Sequence, residues 1–276
     1  MVGLSLLVLG GLSFLFSVFL SFAARRLTVV EDPLIARIEE LLPGTNCGAC
    51  GFAGCHAVAE LLAARRLEPD SCVVGGKETA EKIGKLLGVF VSTGERRVAA
   101  IHCQGGRDKV ADRFIYVGIK TCLTAHNTAG GPKACIYGCL GFGDCVRVCP
   151  FGAIKMGKNG LPVIEESLCV ACGKCVAACP RKIITLIPRK QWTYVACVSR
   201  DRGKRVQEVC PVGCIACELC ARVTKSGAIR MEDNLPRLDI NIGQDFQEAV
   251  ERCPRHCFVV RLQTSSAGGS EPKAGA

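Results

Sequence analysis

The sequence predicts an α+β protein in which one N-terminal transmembrane helix precedes small modules held together by metal sites. Three observations predict this class: an uncharged apolar run at the start, 21 cysteines among 276 residues with only 5% aromatic residues, and cysteine motifs that recur along the chain. Such a composition suits several small metal-held modules better than one large hydrophobic core. A secreted disulfide scaffold is the alternative for a Cys-rich chain, but the odd number of cysteines and their clustered spacing disfavour it.

The first element is a predicted membrane anchor over residues 1–26. Residues 2–24 contain no charged side chain, and as a helix they extend about 35 Å, which is enough to cross a bilayer. Arg25 and Arg26 follow at once and nothing basic precedes the run, so the positive-inside rule places the rest of the chain in the cytoplasm. A cleaved signal peptide is the alternative, because residues 21–23 are a passable cleavage site, but its basic n-region is absent.

The second element is a small helical domain over residues 31–94. Residues 31–42 have helical periodicity and end at Pro43-Gly44, and two further helices are predicted over residues 56–67 and 79–90. The loops between these helices carry four cysteines, Cys47, Cys50, Cys55 and Cys72. On spacing alone, this set suits an iron–sulfur cluster or a zinc ion.

The third element contains the most specific motif of the chain. Residues 169–180 read C-V-A-C-G-K-C-V-A-A-C-P, the Cys-x2-Cys-x2-Cys-x3-Cys-Pro ligand run of bacterial-type ferredoxins. Three of these thiolates hold one cubane cluster, and the fourth, before the proline, ligates the cluster of the other half of the domain. A zinc ribbon also uses Cys-x2-Cys pairs, but it needs neither a third cysteine at that interval nor the Cys-Pro. The run therefore predicts 4Fe-4S clusters.

An internal repeat becomes visible when the chain is aligned on its Cys-Pro positions. Cys149 and Cys179 lie 30 residues apart, and Thr224 and Cys253 lie 29 apart, the spacing of two ferredoxin halves. Each half is expected to contain a loop, a short helix after the Cys-Pro and a small β-hairpin. The sequence thus predicts two tandem ferredoxin-like domains, the second degenerate, and then a disordered tail. The predicted ranges are 95–190, including an N-terminal extension, 191–262 and 263–276.

The first ferredoxin-like domain is predicted to hold two clusters. In a complete half, the loop ligands lie 10, 7 and 4 residues before the Cys-Pro cysteine. The regular set consists of Cys149, Cys169, Cys172 and Cys175. In the other half, Phe142 stands at the middle position and Cys135 is the predicted substitute. That set is Cys135, Cys139, Cys145 and Cys179.

The second ferredoxin-like domain is predicted to have lost one cluster as a unit. All four ligand positions of that cluster carry other residues, namely Thr224, Gly243, Phe246 and Ala249. The remaining cluster is assigned to Cys214, Cys217, Cys220 and Cys253, which makes four clusters in all. A further, fifth cluster is a hypothesis for Cys103, Cys122, Cys197 and Cys210, with buried free thiols as the alternative. Cys257 aligns with Ala153, so packing is the expected role of its side chain.

The formal charge of +10 is unevenly distributed. Between residues 181 and 205, Asp201 is the single acidic residue beside eight basic ones: Arg181, Lys182, Arg189, Lys190, Arg200, Arg202, Lys204 and Arg205. Such a field attracts nucleic acid, an anionic membrane or an acidic protein. Beside redox clusters, an acidic electron carrier is the prediction and no nucleic-acid partner is expected; a merely solvated surface is the alternative.

The sequence has no visible apparatus for making or breaking a substrate bond. We find no Ser-His-Asp arrangement, acidic pair or dinucleotide fingerprint, so no flavin or nicotinamide is expected on this chain. Electron transfer is the function that remains.

The stretch P-G-T-N-C-G-A-C-G-F-A-G-C (residues 43–55), after an N-terminal anchor, resembles the iron–sulfur domain of the B subunit of the Rnf complex. The resemblance continues through residues 130–154, the ferredoxin run and residues 212–220, and it favours iron–sulfur over zinc for the first four cysteines. The lost cluster around Thr224 is a departure from relatives with a full second ferredoxin.

This resemblance implies the cytoplasmic, cluster-bearing, single-pass subunit of an NAD:ferredoxin oxidoreductase in the plasma or inner membrane. Such a chain is an enzyme only as part of a complex that couples electron flow from reduced ferredoxin to Na⁺ or H⁺ translocation. Its expected partners are acidic ferredoxin, the membrane and the other subunits of the complex. A membrane-tethered polyferredoxin for another redox enzyme and a non-catalytic iron–sulfur sensor or carrier are the alternatives.

Overall fold

The computed structural model describes residues 2–27, 32–91 and 95–261. The predicted tail over residues 263–276 and the predicted end of the four-Cys domain at residues 92–94 lie outside the described residues. Helix α1 spans Val2–Arg26 and ends with Arg25 and Arg26 in its last turn. Its segment Leu7–Arg26, of mean hydropathy 2.2, is long and apolar enough to cross a membrane and buries nothing against the rest of the protein. A helix that exposes apolar side chains all round suits a lipid environment.

The four-Cys domain is a small helical module. It contains α2 (Pro33–Leu41), α3 (Cys55–Ala63), a 3-10 turn (Pro69–Ser71) and α4 (Gly76–Leu87). Asp32 caps α2 by accepting a hydrogen bond from the Leu34 N–H at 2.8 Å, and Pro33 occupies the first helical position. The three helices bury one apolar cluster formed by Ile38, Val58, Leu62, Ile83 and Leu87. Their bounds differ from the predicted ones by a few residues; α3, for example, ends before Arg65, whose φ is 55°.

Two further units share one pattern of strand pairing. We call residues 95–190 the first unit and residues 191–261 the second unit. The strands of the first unit are β1 (Arg97–Ile101), β2 (Ile154–Met156), β3 (Pro162–Ile164) and β4 (Ile184–Pro188); those of the second are β5 (Thr193–Val195), β6 (Ile229–Glu232), β7 (Leu235–Leu238) and β8 (Phe258–Val260). Strands β1 and β4 pair antiparallel around the β2–β3 hairpin, and β5 and β8 pair in the same way around the β6–β7 hairpin.

Six short helices complete the two units. They are α5 (Cys122–Asn127), α6 (Asp144–Arg147), α7 (Lys174–Ala177), α8 (Gly203–Val209), α9 (Leu219–Val223) and α10 (Gln247–Glu251). Helices α6, α7 and α10 each end before a Cys-Pro, and α9 ends before the aligned Thr224. The predicted position after the Cys-Pro is therefore wrong. In α6, α7 and α10 the proline contributes to the end of the helix, because the residue before a proline disfavours the helical conformation.

The predicted hairpin in every half is also corrected. A hairpin follows Cys149 and Thr224, but the strand that follows Cys179 or Cys253 pairs with the first strand of its own unit. Each unit therefore closes on itself. Separate apolar cores lie around Ile154, Ile183 and Ile184 in the first unit and around Ile229 and Phe246 in the second.

Candidate iron–sulfur cluster sites

Five cavities account for all 21 cysteines, every one of which lies in the described part of the chain and is a free thiol. Four of the cavities are lined by four cysteines each, and the other is lined by five. Among residues 2–27, 32–91 and 95–261, no group of three or more His, Cys, Asp or Glu side chains is arranged to hold a single metal ion. The thiols surround spaces instead, and an all-cysteine donor set around a mostly apolar space is the chemistry that 4Fe-4S clusters use.

The first cavity, which we call the N-terminal site, brings together Cys47, Cys50, Cys55 and Cys72. The Asn46 Oδ1 accepts the Cys55 N–H at 2.7 Å and so holds the cysteine loop to the start of α3. A Cβ at Gly54 would lie 2.8 Å from that oxygen, so a larger residue there would displace the Asn46 side chain from this hydrogen bond. Burial by itself would raise the pKa of the Cys47 thiol, but backbone and side-chain hydrogen bonds and the nearby Lys174 charge lower it below 9.0.

The second cavity, the regular site, brings together Cys149, Cys169, Cys172 and Cys175. The ligand loop turns through left-handed backbone at Ala171 (φ 56°) and Gly173 (φ 76°) before α7 begins. Cys175 is buried in α7. Burial is the main cause that raises the pKa of its thiol to about 11, and the charges of the neighbouring Cys169 and Cys172 thiolates add to the effect.

The third cavity groups its cysteines differently from one predicted ligand set. Cys139, Cys145 and Cys179 lie together as predicted, but their companion is Cys122, and Cys135 lines a different cavity. We call this group the α5 site, because Cys122 begins helix α5. The Leu123 N–H donates to Asp144 Oδ2 at 3.1 Å, which fixes α5 beside α6. Spacing along the chain does not predict this grouping, because Cys122 lies on a separate helix that folds back against the ligand loop.

The thiols of the α5 site lie close to one another and to the regular site. Burial raises the pKa of the Cys145 thiol to about 12, and the neighbouring thiols of Cys122, Cys179 and Cys175 add to that effect. Cys175 belongs to the regular site. The two sites of the first unit are therefore near neighbours.

The fourth cavity, the C-terminal site, is lined by Cys214, Cys217, Cys220 and Cys253, together with Cys257. Within the described chain, Cys217 is the only cysteine that is exposed. Cys257 is buried in the core, as expected from its alignment with Ala153, but it also acts on this site. Its N–H lies 3.4 Å from Cys253 Sγ, and a hydrogen bond from its side chain lowers the pKa of Cys253 to about 5.

Protein side chains fill the place of the cluster that the sequence predicts to be lost. Phe246 is fully buried and its ring lies 6.2 Å from that of Trp192. Ala249 and Thr224 are buried as well, and the Thr224 hydroxyl donates to the Cys220 carbonyl at 2.8 Å. This part of the second unit is an ordinary packed core.

The fifth cavity is lined by Cys103, Cys135, Cys197 and Cys210. We call it the junction site. Three of the four cysteines in the hypothesised additional set meet here. Cys122 does not line this cavity, and Cys135 does.

The eight predicted docking residues fall into two groups. Four are exposed: Arg200, Arg202, Lys204 and Arg205. Arg202 pairs with Glu218, which lines the C-terminal site, while Arg200 pairs with Asp233 and Arg205 with Asp201. Of the other four, Arg181 lines the α5 site and donates to the Gly130 carbonyl, and Arg189 donates to the Glu166 carbonyl at 3.0 Å. Lys182 is exposed, and Lys190 pairs with Glu95 at 3.1 Å.

Comparison with known families matches both cysteine-rich parts. Residues 42–74 match the family model described as a putative Fe-S cluster, and residues 134–184 match the 4Fe-4S dicluster domain. The second match begins after Cys122.

Whole-chain relatives are similar over nearly the full length. The chain is 38% identical over 251 residues to the B subunit of the Na⁺-translocating ferredoxin:NAD⁺ oxidoreductase complex of Acetobacterium woodii, covering 91% of this chain and 75% of that protein. It is 40% identical over 257 residues to the B subunit of the ion-translocating oxidoreductase complex of Methanosarcina acetivorans, covering 93% and 97%. It is 41% identical over 252 residues to the B subunit of the proton-translocating ferredoxin:NAD⁺ oxidoreductase complex of Clostridium ljungdahlii, covering 90% and 89%. The chain therefore belongs to the family of B subunits of the ion-translocating (Rnf) oxidoreductase complexes.

Proposed function

We propose that this chain is the electron-transfer subunit of a membrane-bound ferredoxin:NAD⁺ oxidoreductase that couples electron flow to Na⁺ or H⁺ translocation. The observation that carries the proposal is the series of all-cysteine cavities, in a chain whose relatives bear that name. When bound, 4Fe-4S clusters supply one-electron redox centres. The chain's own residues hold them, exclude water and set their potentials.

The proposed ligands are the cysteines of four sites. They are Cys47, Cys50, Cys55 and Cys72; Cys149, Cys169, Cys172 and Cys175; Cys122, Cys139, Cys145 and Cys179; and Cys214, Cys217, Cys220 and Cys253. The repeated pairing of outer strands around an inner hairpin supports two tandem ferredoxin-like domains, the second with one cluster site.

The anchor fixes where these sites operate. We propose that α1 crosses the membrane once and that Arg25 and Arg26 at its end keep the cysteine sites on the cytoplasmic side. Deletion of residues 2–27 is expected to move the chain from the membrane fraction to the soluble fraction. Retention of the truncated chain in membranes that lack all other subunits would contradict a single-pass anchor.

A ferredoxin docking surface is proposed at the C-terminal site. The segment with Arg200, Arg202, Lys204 and Arg205 lies against the ligand loop, since the Gly203 N–H donates to the Ile215 carbonyl at 3.1 Å. Exposed Cys217 is two residues further along that loop. A positive field beside the exposed cysteine favours the approach of an acidic carrier to the place where electrons would be transferred.

Charge reversal tests this surface. The double variant Lys204→Glu and Arg205→Glu in the intact complex is expected to raise the apparent Michaelis constant for ferredoxin several-fold at low ionic strength. The matched control is Lys155→Glu with Lys158→Glu, the same charge change on exposed residues of the first unit. Equal kinetics for the two double variants would remove the docking assignment.

The function itself is tested in membranes from a strain that lacks this chain. Ferredoxin-dependent NAD⁺ reduction and the accompanying ion uptake are expected to disappear and to return when the full chain is supplied. Both activities persisting without the chain would refute the proposed function.

A further inference from the structure

We infer that Cys103, Cys135, Cys197 and Cys210 hold a fifth 4Fe-4S cluster at the junction of the two units, and that it links the cluster sites of the first unit to the C-terminal site. This deepens the proposed function, on which its electron-transfer role rests. The four thiols line one cavity, which contains about 420 Å³ of space unfilled by protein atoms, part of it open to solvent.

The repeat relates the four cysteines in two equivalent pairs. Cys103 lies two residues after the end of β1, and Cys197 lies two residues after the end of β5. Cys135 precedes Cys139 by four residues, and Cys210 precedes Cys214 by the same interval. Each unit thus contributes one cysteine after its first strand and one before its ligand loop. A shared site with matching contributions from both units explains four thiols that neither unit uses alone.

Hydrogen bonds across the junction hold the two strand ends together. The His102 Nδ1 lies 2.6 Å from the Val195 carbonyl oxygen, so that its N–H donates from the first unit to the second. The Gln104 Nε2 donates to the His256 carbonyl at 3.1 Å. Both residues adjoin Cys103, and these contacts therefore set its position relative to Cys197.

Small residues leave room beside the thiols. A Cβ at Gly105 would lie 3.4 Å from Cys210 Sγ and 3.9 Å from Cys103 Sγ. A Cβ at Gly138 would lie 3.5 Å from the Cys135 Cβ, and one at Gly213 would lie 3.3 Å from the Cys210 Cβ. All three glycines line the cavity, so no side chain from these positions enters the space between the thiols.

A buried lysine lies beside the junction site. Lys133 is 5% exposed, and its Nζ donates to the Gly105 carbonyl and, at 2.9 Å, to the Cys139 carbonyl. Four thiolates and a cubane carry net negative charge, so an ammonium group held beside them offsets part of it. Because Lys133 also donates to the Cys139 carbonyl of the α5 site, its charge acts on both sites.

Two equivalent hydrogen bonds join the junction site to its neighbours. The Cys139 N–H donates to Cys103 Sγ at 3.4 Å, and the Cys214 N–H donates to Cys197 Sγ at 3.4 Å. Cys139 belongs to the α5 site and Cys214 to the C-terminal site. Each neighbouring site is thus one hydrogen bond from the junction site, which makes it the connection between the two units.

Metal analysis of the full chain, purified without oxygen in detergent, tests the inference. Iron, acid-labile sulfide and zinc are measured per chain. Five clusters give about twenty irons and about twenty sulfides, four of each per cluster. About sixteen irons, with or without one zinc, would overturn the inference while leaving the proposed function intact.

Cysteine variants test whether the four irons of the fifth cluster are bound at the junction site. Cys210→Ala and Cys103→Ala are each expected to lose about four irons and the electron paramagnetic resonance signal of one reduced cluster, with the other signals retained. Ser199→Ala, which alters a buried residue of the same cavity without removing a thiol, is the control and is expected to keep about twenty irons. Wild-type iron content in both cysteine variants would overturn the inference. If both variants lost all iron through misfolding, the wild-type iron count would decide.

Discussion

At the scale of single residues, Cys257 shows how a side chain that binds no cluster can act on one. Its N–H donates to Cys253 Sγ at 3.4 Å, and its thiol donates to the Val212 carbonyl at 3.5 Å. The thiol also lies close enough to the ligand sulfurs to lower the pKa of Cys214 to about 7 and that of Cys253 to about 5. Hydrogen bonds to ligand sulfurs stabilise the reduced cluster. Cys257→Ala is therefore expected to lower the midpoint potential of that cluster without loss of iron, measured by a redox titration followed by electron paramagnetic resonance.

Cys257→Ser is the matched control for that prediction. The serine hydroxyl keeps a donor at the same position, so the potential should stay closer to the wild-type value than in the alanine variant. Equal potentials in all three proteins would show that the thiol contributes nothing, and a loss of about four irons in both variants would make Cys257 a ligand.

Residue roles were predictable from the sequence where the ligands share one loop. The run from Cys169 to Cys175 carries its spacing rule within itself, and the structure brings it to one cavity with Cys149. Cys122 has no counterpart in the repeat and reaches its cavity through α5, so the alignment selected Cys135 instead. Cys257 aligns with an alanine, which gives no sign of a hydrogen-bond donor.

At the scale of secondary-structure elements, the end of β8 is tied to the first unit by one buried ion pair. The Arg261 side chain is 7% exposed and its Nε donates to Glu166 Oε1 at 2.7 Å. Its Nη1 also donates to the Gln191 carbonyl at 2.6 Å. Arg261→Gln is expected to destabilise the protein by about 2–4 kcal/mol, somewhat less than a fully buried pair because Glu166 is partly exposed. The measurement is the urea midpoint from circular dichroism under anaerobic conditions.

The control is Arg252→Gln, which removes an exposed pair with Glu248 within α10 and should change the stability by only about 0.2–1 kcal/mol. The hydrogen bond and charge of Arg261 hold the pKa of Glu166 below its usual range. A lowered folded-state pKa means that the pair stabilises fully above the unfolded value of about 4.3 and is lost as the pH falls through the folded value. Equal urea midpoints for Arg261→Gln and Arg252→Gln at neutral pH would show that the ion pair between Arg261 and Glu166 does not stabilise the protein.

Secondary-structure elements could be predicted where the sequence pattern that specifies them lies within the element itself. Apolar periodicity alone places the start of α2 within two residues of its observed start at Pro33. The pairing of Ile101 with Ile184 joins distant parts of the chain, and no local pattern records it. The hairpins expected in all four halves therefore appear only where both strands follow one another directly.

At the scale of the whole molecule, the cysteine sites follow one another in a single order. The N-terminal site touches the regular site, because Lys174 Nζ donates to the Cys47 carbonyl and Lys174 begins the helix that carries Cys175. The regular site adjoins the α5 site, and the junction site lies between the α5 site and the C-terminal site. The N-terminal site, at one end of this order, follows the membrane anchor along the chain. The C-terminal site, at the other end, has the exposed Cys217 and the basic segment with Arg200, Arg202, Lys204 and Arg205. We propose that electrons delivered at the docking surface pass along this order toward the N-terminal site.

Lys174 makes this order testable at the step nearest the anchor. Lys174→Met keeps the length of the side chain but removes its hydrogen bond to the N-terminal domain, so the contact between the N-terminal and regular sites should loosen. We expect an unchanged iron content and slower reduction of the N-terminal cluster after mixing with reduced ferredoxin, followed by freeze-quench electron paramagnetic resonance. Reduction of the regular cluster should keep its wild-type rate, because that cluster lies before the altered contact. Lys155→Met, an exposed residue of β2, is the control. If the N-terminal cluster were reduced as fast in Lys174→Met as in this control, electrons would reach it by another route, and the order of sites proposed for the chain would have to be abandoned.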